Sequence, residues 1–282
     1  MNAIECRDLT KVYDGFTLDH ISFTLPAGCI LGLVGENGAG KSTTLALLMD
    51  AIRRDGGEVD ILGTDNRSPE FTKIRQDIGV VLDEACFPEV LTAREMGKVF
   101  SRLYQRWDQA CYEGYLTRFG LDPNKKFKDL SRGTWMKLAL AAALSHGAKL
   151  LLLDEATSGL DPMVRDEILD VLNDFTRDEE RSVVLSSHIV SDLEKVCDYI
   201  AFLHKGKLVL FEEKDRLLEE YALVKLTADQ LSTLDPAAVA GKKVGPYGAE
   251  ALVRRDLIPA GFVTERTSLE DIILFLAKEG EQ

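Results

Sequence analysis

Gly35-Glu36-Asn37-Gly38-Ala39-Gly40-Lys41-Ser42-Thr43 is the stretch on which the reading of this chain turns. The apolar run Ile30-Leu31-Gly32-Leu33-Val34 leads into it, and Thr44-Leu45-Ala46-Leu47-Leu48 leads out. The order is strand, glycine-rich turn, helix, with the spacing G-x-x-x-x-G-K-[ST]. Gly35, Gly38 and Gly40 let the backbone close around phosphate oxygens that a Cβ would hold off. The turn amides, those of Asn37 and Ala39 among them, and the N-terminus of the following helix together favour an anion. Lys41 can reach the β- and γ-phosphates, Ser42 can offer its hydroxyl to Mg²⁺, and Thr43 completes the motif. The flanking strand and helix set this apart from an ordinary glycine-rich surface turn. The chain is therefore expected to bind a nucleoside triphosphate.

Its 282 residues suffice for one large domain with an appendage, or two modest domains. At 45% hydrophobic and 29% charged, the composition is that of a soluble globular protein. No apolar run approaches the roughly 18–20 residues that span a bilayer. Met1-Asn2-Ala3-Ile4-Glu5-Cys6-Arg7 lacks the charged-then-apolar plan of a signal peptide, so a cytoplasmic location is expected, with any membrane role exerted through a partner. A net charge of −13 disfavours broad nucleic-acid binding, and no nucleic-acid partner is expected. Cys6, Cys29, Cys86, Cys111 and Cys197 are scattered and form no C-x-x-C pair. They read as buried small apolar residues in a reducing compartment.

Along the chain, Ile4 to Leu9 and Phe16 to Leu25 alternate apolar and polar residues around a turn at Asp14-Gly15, as β-strands do. Further strands are expected at Gly56 to Gly63, Ile78 to Leu82, Leu150 to Asp154, Ser182 to Ser187 and Tyr199 to Leu203. Helical periodicity takes over between Thr92 and Ser145, with an amphipathic segment from Ala93 to Trp107 and an Ala/Leu-rich one from Leu138 to Leu144. Alternating β and α segments imply an α/β fold with a mostly parallel sheet, preceded by an antiparallel β subdomain and carrying a helical insertion at about 86–148. The predicted division is residues 1–211 as the core domain and 212–282 as an accessory extension of mixed α+β character. In that extension, Glu212 to Glu220 reads as a charged helix, Tyr221 to Thr227 as a strand, and Gly245-Pro246-Tyr247-Gly248 as a break. Leu269 to Ala277 reads as an amphipathic helix capped by Ser268.

The order of the later motifs narrows the chemistry. Leu150-Leu151-Leu152-Leu153 ends in Asp154 and Glu155. An Asp at a strand end beside a phosphate loop can hold Mg²⁺ through water, and the Glu after it can orient or deprotonate an attacking water. About twenty residues upstream, Leu130-Ser131-Arg132-Gly133-Thr134 opens a helix, where Ser131 alone would read as a simple cap. In this order and spacing the segment resembles the L-S-G-G-Q signature of the ABC-transporter ATPase family. Arg132 and Thr134 depart from its commonest form, while Ser131 and Gly133 keep their places.

The resemblance covers residues 1 to about 211 and carries implications for individual positions. Ser131 and Gly133 would contact the γ-phosphate of ATP held by the opposite subunit. Ser158-Gly159-Leu160-Asp161 resembles the loop that crosses the dimer interface. His188, after the strand ending at Ser187, matches the switch histidine on the γ-phosphate. Tyr13, 28 residues before Lys41, stands where the family places an aromatic stacked on adenine. Asp83 occupies the position of the usual Gln that contacts Mg²⁺ and the attacking water. A carboxylate can still ligate Mg²⁺, so Asp83 is expected to sense nucleotide and tune the rate.

The implied function is the ATPase subunit of an ABC transporter. Two copies, or one copy and a similar subunit, would sandwich two ATP molecules and drive a separate membrane permease. Leu130 to Gly133 and the tail around Leu269-Glu270-Asp271 resemble the ABC-2-type exporter branch, which implies export. The alternatives are a soluble ABC ATPase acting on ribosomes or DNA, or a nucleotide-dependent regulatory module. One cassette without sustained heptads disfavours the first, and the intact Asp154-Glu155 pair the second.

Overall fold

The computed structural model describes residues 1–84, 87–245, 248–259 and 261–279. Cys86 and the Pro246-Tyr247 part of the expected break lie outside them. Two long strands, β1 (Asn2–Tyr13) and β2 (Phe16–Pro26), form an antiparallel hairpin whose register closes at Tyr13 opposite Phe16. Gly15 supplies the left-handed φ of +80° that this tight turn requires. The first strand also pairs with β4 (Gly56–Ile61), which pairs with the short β5 (Thr64–Asp65), giving the antiparallel sheet β2-β1-β4-β5.

The central sheet has the order β10-β9-β3-β8-β7-β6. Its strands are β3 (Ile30–Val34), β6 (Ile78–Val81), β7 (Leu150–Asp154), β8 (Ser182–Ser187), β9 (Tyr199–His204) and β10 (Lys207–Glu213). All neighbours run parallel except the β9–β10 edge hairpin. Strand alternation sorts the core onto two faces. Leu151, Leu153, Val183 and Leu185 face a helical layer, whereas Leu150, Leu152, Val184, Leu31 and Leu33 face the antiparallel sheet. The first helix, α1 (Lys41–Leu48), packs with that second face through Leu45, Leu47 and Leu48.

The single turn α2 (Phe71–Ile74) precedes β6, and the helical insertion follows that strand as α3 (Ala93–Leu103), α4 (Gln109–Arg118) and α5 (Arg132–Leu144). A capping box fixes the start of α3, since Thr92 accepts from the Glu95 amide while Glu95 reaches back to the Thr92 amide. The helical layer continues with α6 (Pro162–Phe175) and α7 (Val190–Val196).

Beyond the central sheet come α8 (Lys214–Glu220), β11 (Tyr221–Leu226), α9 (Ala228–Thr233), β12 (Val239–Gly245), β13 (Gly248–Arg254), β14 (Thr264–Glu265) and α10 (Leu269–Glu279). The strands form an antiparallel sheet in the order β12-β13-β11-β14. The terminal helix packs Leu269, Ile272, Ile273 and Phe275 into the helical layer of the core. Ser268 caps it, its Oγ accepting from the Asp271 amide at 3.1 Å.

Three sequence-based boundaries shift, and two cysteines are less buried than expected. The first helix of the insertion stops at Leu103, because Tyr104 turns extended and stacks on His146 with ring centroids 4.0 Å apart. The Ala/Leu-rich helix begins at Arg132, six residues early, on the Ser131 cap. Glu212 and Glu213 are not helical but pair with Ile200 and Tyr199 in the edge strand. Cys6 and Cys197 are buried, whereas Cys29 and Cys111 are only half-buried, at the core's margin.

Candidate nucleotide site

In an open parallel sheet, ligands gather at the carboxyl ends of the strands. The phosphate loop follows β3, Asp83 follows β6, Asp154 and Glu155 end β7, and His188 follows β8. Neighbouring strands thus deliver residues far apart in sequence to one edge.

The loop is shaped by its glycines. A Cβ at Gly35 would come within 2.4 Å of the Leu203 carbonyl oxygen, so the loop can cross the sheet edge only with glycine there. Gly40, the N-cap of α1, has φ +110°. No side chain caps this helix and no acid sits in its first turn, so its leading amides remain free for an anion. Asn37, Gly38 and Ser42 are exposed, Thr43 is half-buried and Ala39 is buried.

Lys41 is only 6% exposed. Its ammonium donates to the carbonyls of Gly35 at 2.8 Å and Glu36 at 3.3 Å. It also lies 3.2 Å from Glu155 Oε1, an ion-pair distance without hydrogen-bond alignment. Glu155 Oε2 is 2.7 Å from His188 Nδ1. A continuous line therefore runs Lys41, Glu155, His188. Glu155 itself takes a left-handed φ of +48°, uncommon for a residue with a Cβ, and such strain gathers at working sites.

Asp154 is buried, and its Oδ1 accepts from Ser186 Oγ at 2.5 Å. The same Ser186 hydroxyl accepts from the Glu155 amide at 3.1 Å. Ser186 thus orients both carboxylate residues, yet sequence reading passed over it. The available signal was a serine inside the apolar run of a central strand, where a buried hydroxyl needs a partner. Asp154 and Ser42 supply hard oxygen donors of the kind Mg²⁺ takes.

Tyr13 stands at the tip of the β1–β2 hairpin, 42% exposed, with its ring centroid 6.4 Å from that of Phe16. Phe16 in turn borders Gly40, since a Cβ there would meet its ring at 3.2 Å. Ser131, Gly133 and Asp161 lie apart from this cluster. Ser131 caps α5 on the Thr134 amide, and Asp161 caps α6 on the Met163 amide at 2.9 Å. Gly133 has no close packing of its own to demand glycine, because an added Cβ would meet Val164 Cγ1 at an ordinary 3.5 Å. Asp83 pairs with a residue outside the Asp154–Glu155 pair. Its carboxylate is held by Arg132, whose Nε donates to the Ser158 carbonyl at 3.0 Å.

Known proteins resemble this chain in sequence and in fold. The family described as ABC transporter matches residues 18–158, half of the chain. The chain is 30% identical over 284 aligned positions to an uncharacterized ABC transporter ATP-binding protein, YhcH, of Bacillus subtilis (strain 168), covering 98% of this chain and 91% of that one. It is 32% identical to the bacitracin transport ATP-binding protein BcrA of Bacillus licheniformis, covering 73% of this chain and 68% of the relative. A solved structure of an ATP-binding subunit of an ABC transporter superposes with TM-score 0.69 at 25% identity, over 76% of this chain and 91% of the other. With its phosphate loop, paired carboxylates and sheet order all of that kind, the chain belongs to the ABC transporter family, as an ATP-binding and ATP-hydrolysing subunit.

Proposed function

We propose that two such subunits close around two ATP molecules and drive a separate membrane permease, in the direction of export. The observation that carries the reading is the line from Lys41 through Glu155 to His188 at the mouth of an uncapped helix. The γ-phosphate of ATP competes with Glu155 for Lys41 and His188. Once Lys41 and His188 turn to the phosphate, the Glu155 carboxylate is free to orient and deprotonate water. Ser42 and Asp154 would hold Mg²⁺, which supplies charge compensation on the phosphates. Tyr13 would stack on adenine, and Ser131, Gly133 and Asp161 would serve the nucleotide of the partner subunit. Packing within the subunit does not require glycine at 133, since an added Cβ would make only ordinary contacts from 3.5 Å, and this supports the assignment of Gly133.

The permease is proposed as a separate chain because no helix among the described residues is long and apolar enough to cross a membrane. Such a subunit works at the cytoplasmic face, held there by its permease. An apolar groove lined by Leu82, Phe87, Phe100, Tyr104 and Trp135 lies beside the Asp83 loop and supports docking of a short permease helix. We place the division between ATPase domain and accessory extension near residues 211–212, as the sequence predicts.

Glu155→Gln tests the mechanism. The variant keeps the shape of the carboxylate and loses its basicity. It is expected to bind ATP, to lose turnover by at least about a hundredfold, and to accumulate as an ATP-bound dimer in size-exclusion chromatography. A variant that remains monomeric at saturating ATP would overturn the sandwich.

A further inference from the structure

Two of the three positions where this chain departs from its family's pattern, Asp83 and Arg132, meet in space. Asp83 stands where the family carries Gln, and Arg132 stands at the first glycine of the signature. Arg132 Nη2 donates to Asp83 Oδ1, while its Nε donates to the Ser158 carbonyl at 3.0 Å. The arm of the same side chain lies over Gly159, where an added Cβ would come within 3.7 Å of Cδ. One guanidinium therefore joins three segments: the loop after β6, the first turn of α5, and the loop that leads from Glu155 to α6. The planar fork of arginine suits two acceptors at once, which a lysine ammonium on a flexible stem does not match.

Fold stability does not account for this arrangement. The side chains of Arg132 and Asp83 are 39% and 45% exposed, and ion pairs so open to water contribute little to folding. Their position is what distinguishes them. The pair neutralises the carboxylate that replaces an amide near the γ-phosphate, and it ties that carboxylate to the loop leaving the catalytic Glu155. Ser131 and Gly133, on either side of Arg132, are the residues proposed to serve the partner's nucleotide.

We propose that Arg132 is a positioning residue for ATP hydrolysis. It acts through Asp83 and the Ser158 carbonyl, so that both loops flanking the γ-phosphate move as one unit with the signature turn. The proposal rests on the ATPase reading of the site. In this view the Asp-for-Gln and Arg-for-Gly replacements are one compensated change rather than two losses.

The test is a double-mutant cycle on the full chain, reading ATP turnover against ATP concentration and thermal midpoint. Arg132→Ala and Asp83→Ala are each expected to lower kcat about tenfold while KM for ATP moves less than about twofold and the midpoint holds. The double alanine variant is expected to be no slower than the slower single. Arg132→Lys should stay close to Arg132→Ala, because the lysine cannot span both acceptors. The exchanged pair, Asp83→Arg with Arg132→Asp, should recover part of the lost kcat. Single effects that multiply in the double variant, or full turnover in Arg132→Ala, would overturn the proposal. Should Arg132→Ala fail to fold, Asp83→Asn carries the same test, since it removes the charge and keeps the shape. A parent chain that never hydrolyses ATP would instead sink the ATPase reading itself.

Discussion

At the scale of single residues, the site depends on groups that hold the chemistry in place as much as on those that perform it. Ser186 is fully buried and has two partners, donating to Asp154 Oδ1 and accepting from the Glu155 amide. Ser186→Ala leaves a buried carboxylate oxygen without its donor, whereas the Glu155 amide keeps its bond to the Ser186 carbonyl at 3.1 Å. The loss is expected to destabilise the fold by about 1–3 kcal/mol and to lower turnover, with ATP binding less affected because Lys41 and the loop amides are untouched. Chemical denaturation beside single-turnover hydrolysis checks this, and a variant as active and as stable as the parent would show that Asp154 needs no such donor.

At the scale of elements, the chain sorts itself into legible and illegible parts for physical reasons. Strands buried on both faces or alternating in polarity announce themselves, as Leu150 to Asp154 and Phe16 to Leu25 do. The phosphate loop is legible because its glycines and lysine are spaced by backbone geometry alone. The start of α5 is not, because Arg132 turns to a contact outside the helix and Gly133 is a weak helix former. The pairing of Asp83 with Arg132 crosses 49 positions and depends on a loop meeting the first turn of α5, which no local periodicity encodes. The junction of α3 and α5 is a similar case. His146, just past α5, is 1% exposed, stacks on Tyr104 and has Nδ1 3.2 Å from the Gln76 carbonyl. Burial lowers its pKa from 6.5, with the hydrogen bond to Gln76 opposing and the nearby Arg106 charge adding to the fall. The unfolded chain therefore binds a proton here before the folded one does. Stability from this site is complete above pH 6.5 and is lost as the pH falls through the lowered folded value. His146→Gln keeps a donor for Gln76 and removes the titration. Below pH 6.5 the parent is expected to lose stability faster than this variant, at a rate limited to about 1.4 kcal/mol per pH unit. Parallel curves of thermal midpoint against pH would exclude His146 as the group responsible.

At the scale of the whole molecule, the C-terminal extension touches the part of the core expected to move. The Leu269 amide at the head of α10 donates to Glu194 Oε2 at 3.0 Å, and Glu194 belongs to α7, the helix that follows His188. Glu270, Ile273 and Leu274 of the same terminal helix line one cleft with Gly35, Glu36 and His188. The helix therefore borders the same cleft as the phosphate loop and His188. A shift of His188 from Glu155 toward a γ-phosphate that carries the backbone of α7 with it would move Glu194, and α10 would follow it or lose that contact. Ligand binding that removes local opening slows amide exchange in the elements it couples. With saturating ATP on the Glu155→Gln variant, amide exchange is expected to slow severalfold in α10 as well as in α1, although α10 has no role in the proposed phosphate contacts. ADP, which lacks the γ-phosphate, is expected to protect α1 and leave α10 near its resting rate. If ATP slows α1 alone, the extension packs on the core without reading its nucleotide, and its contacts with α7 serve only to anchor it.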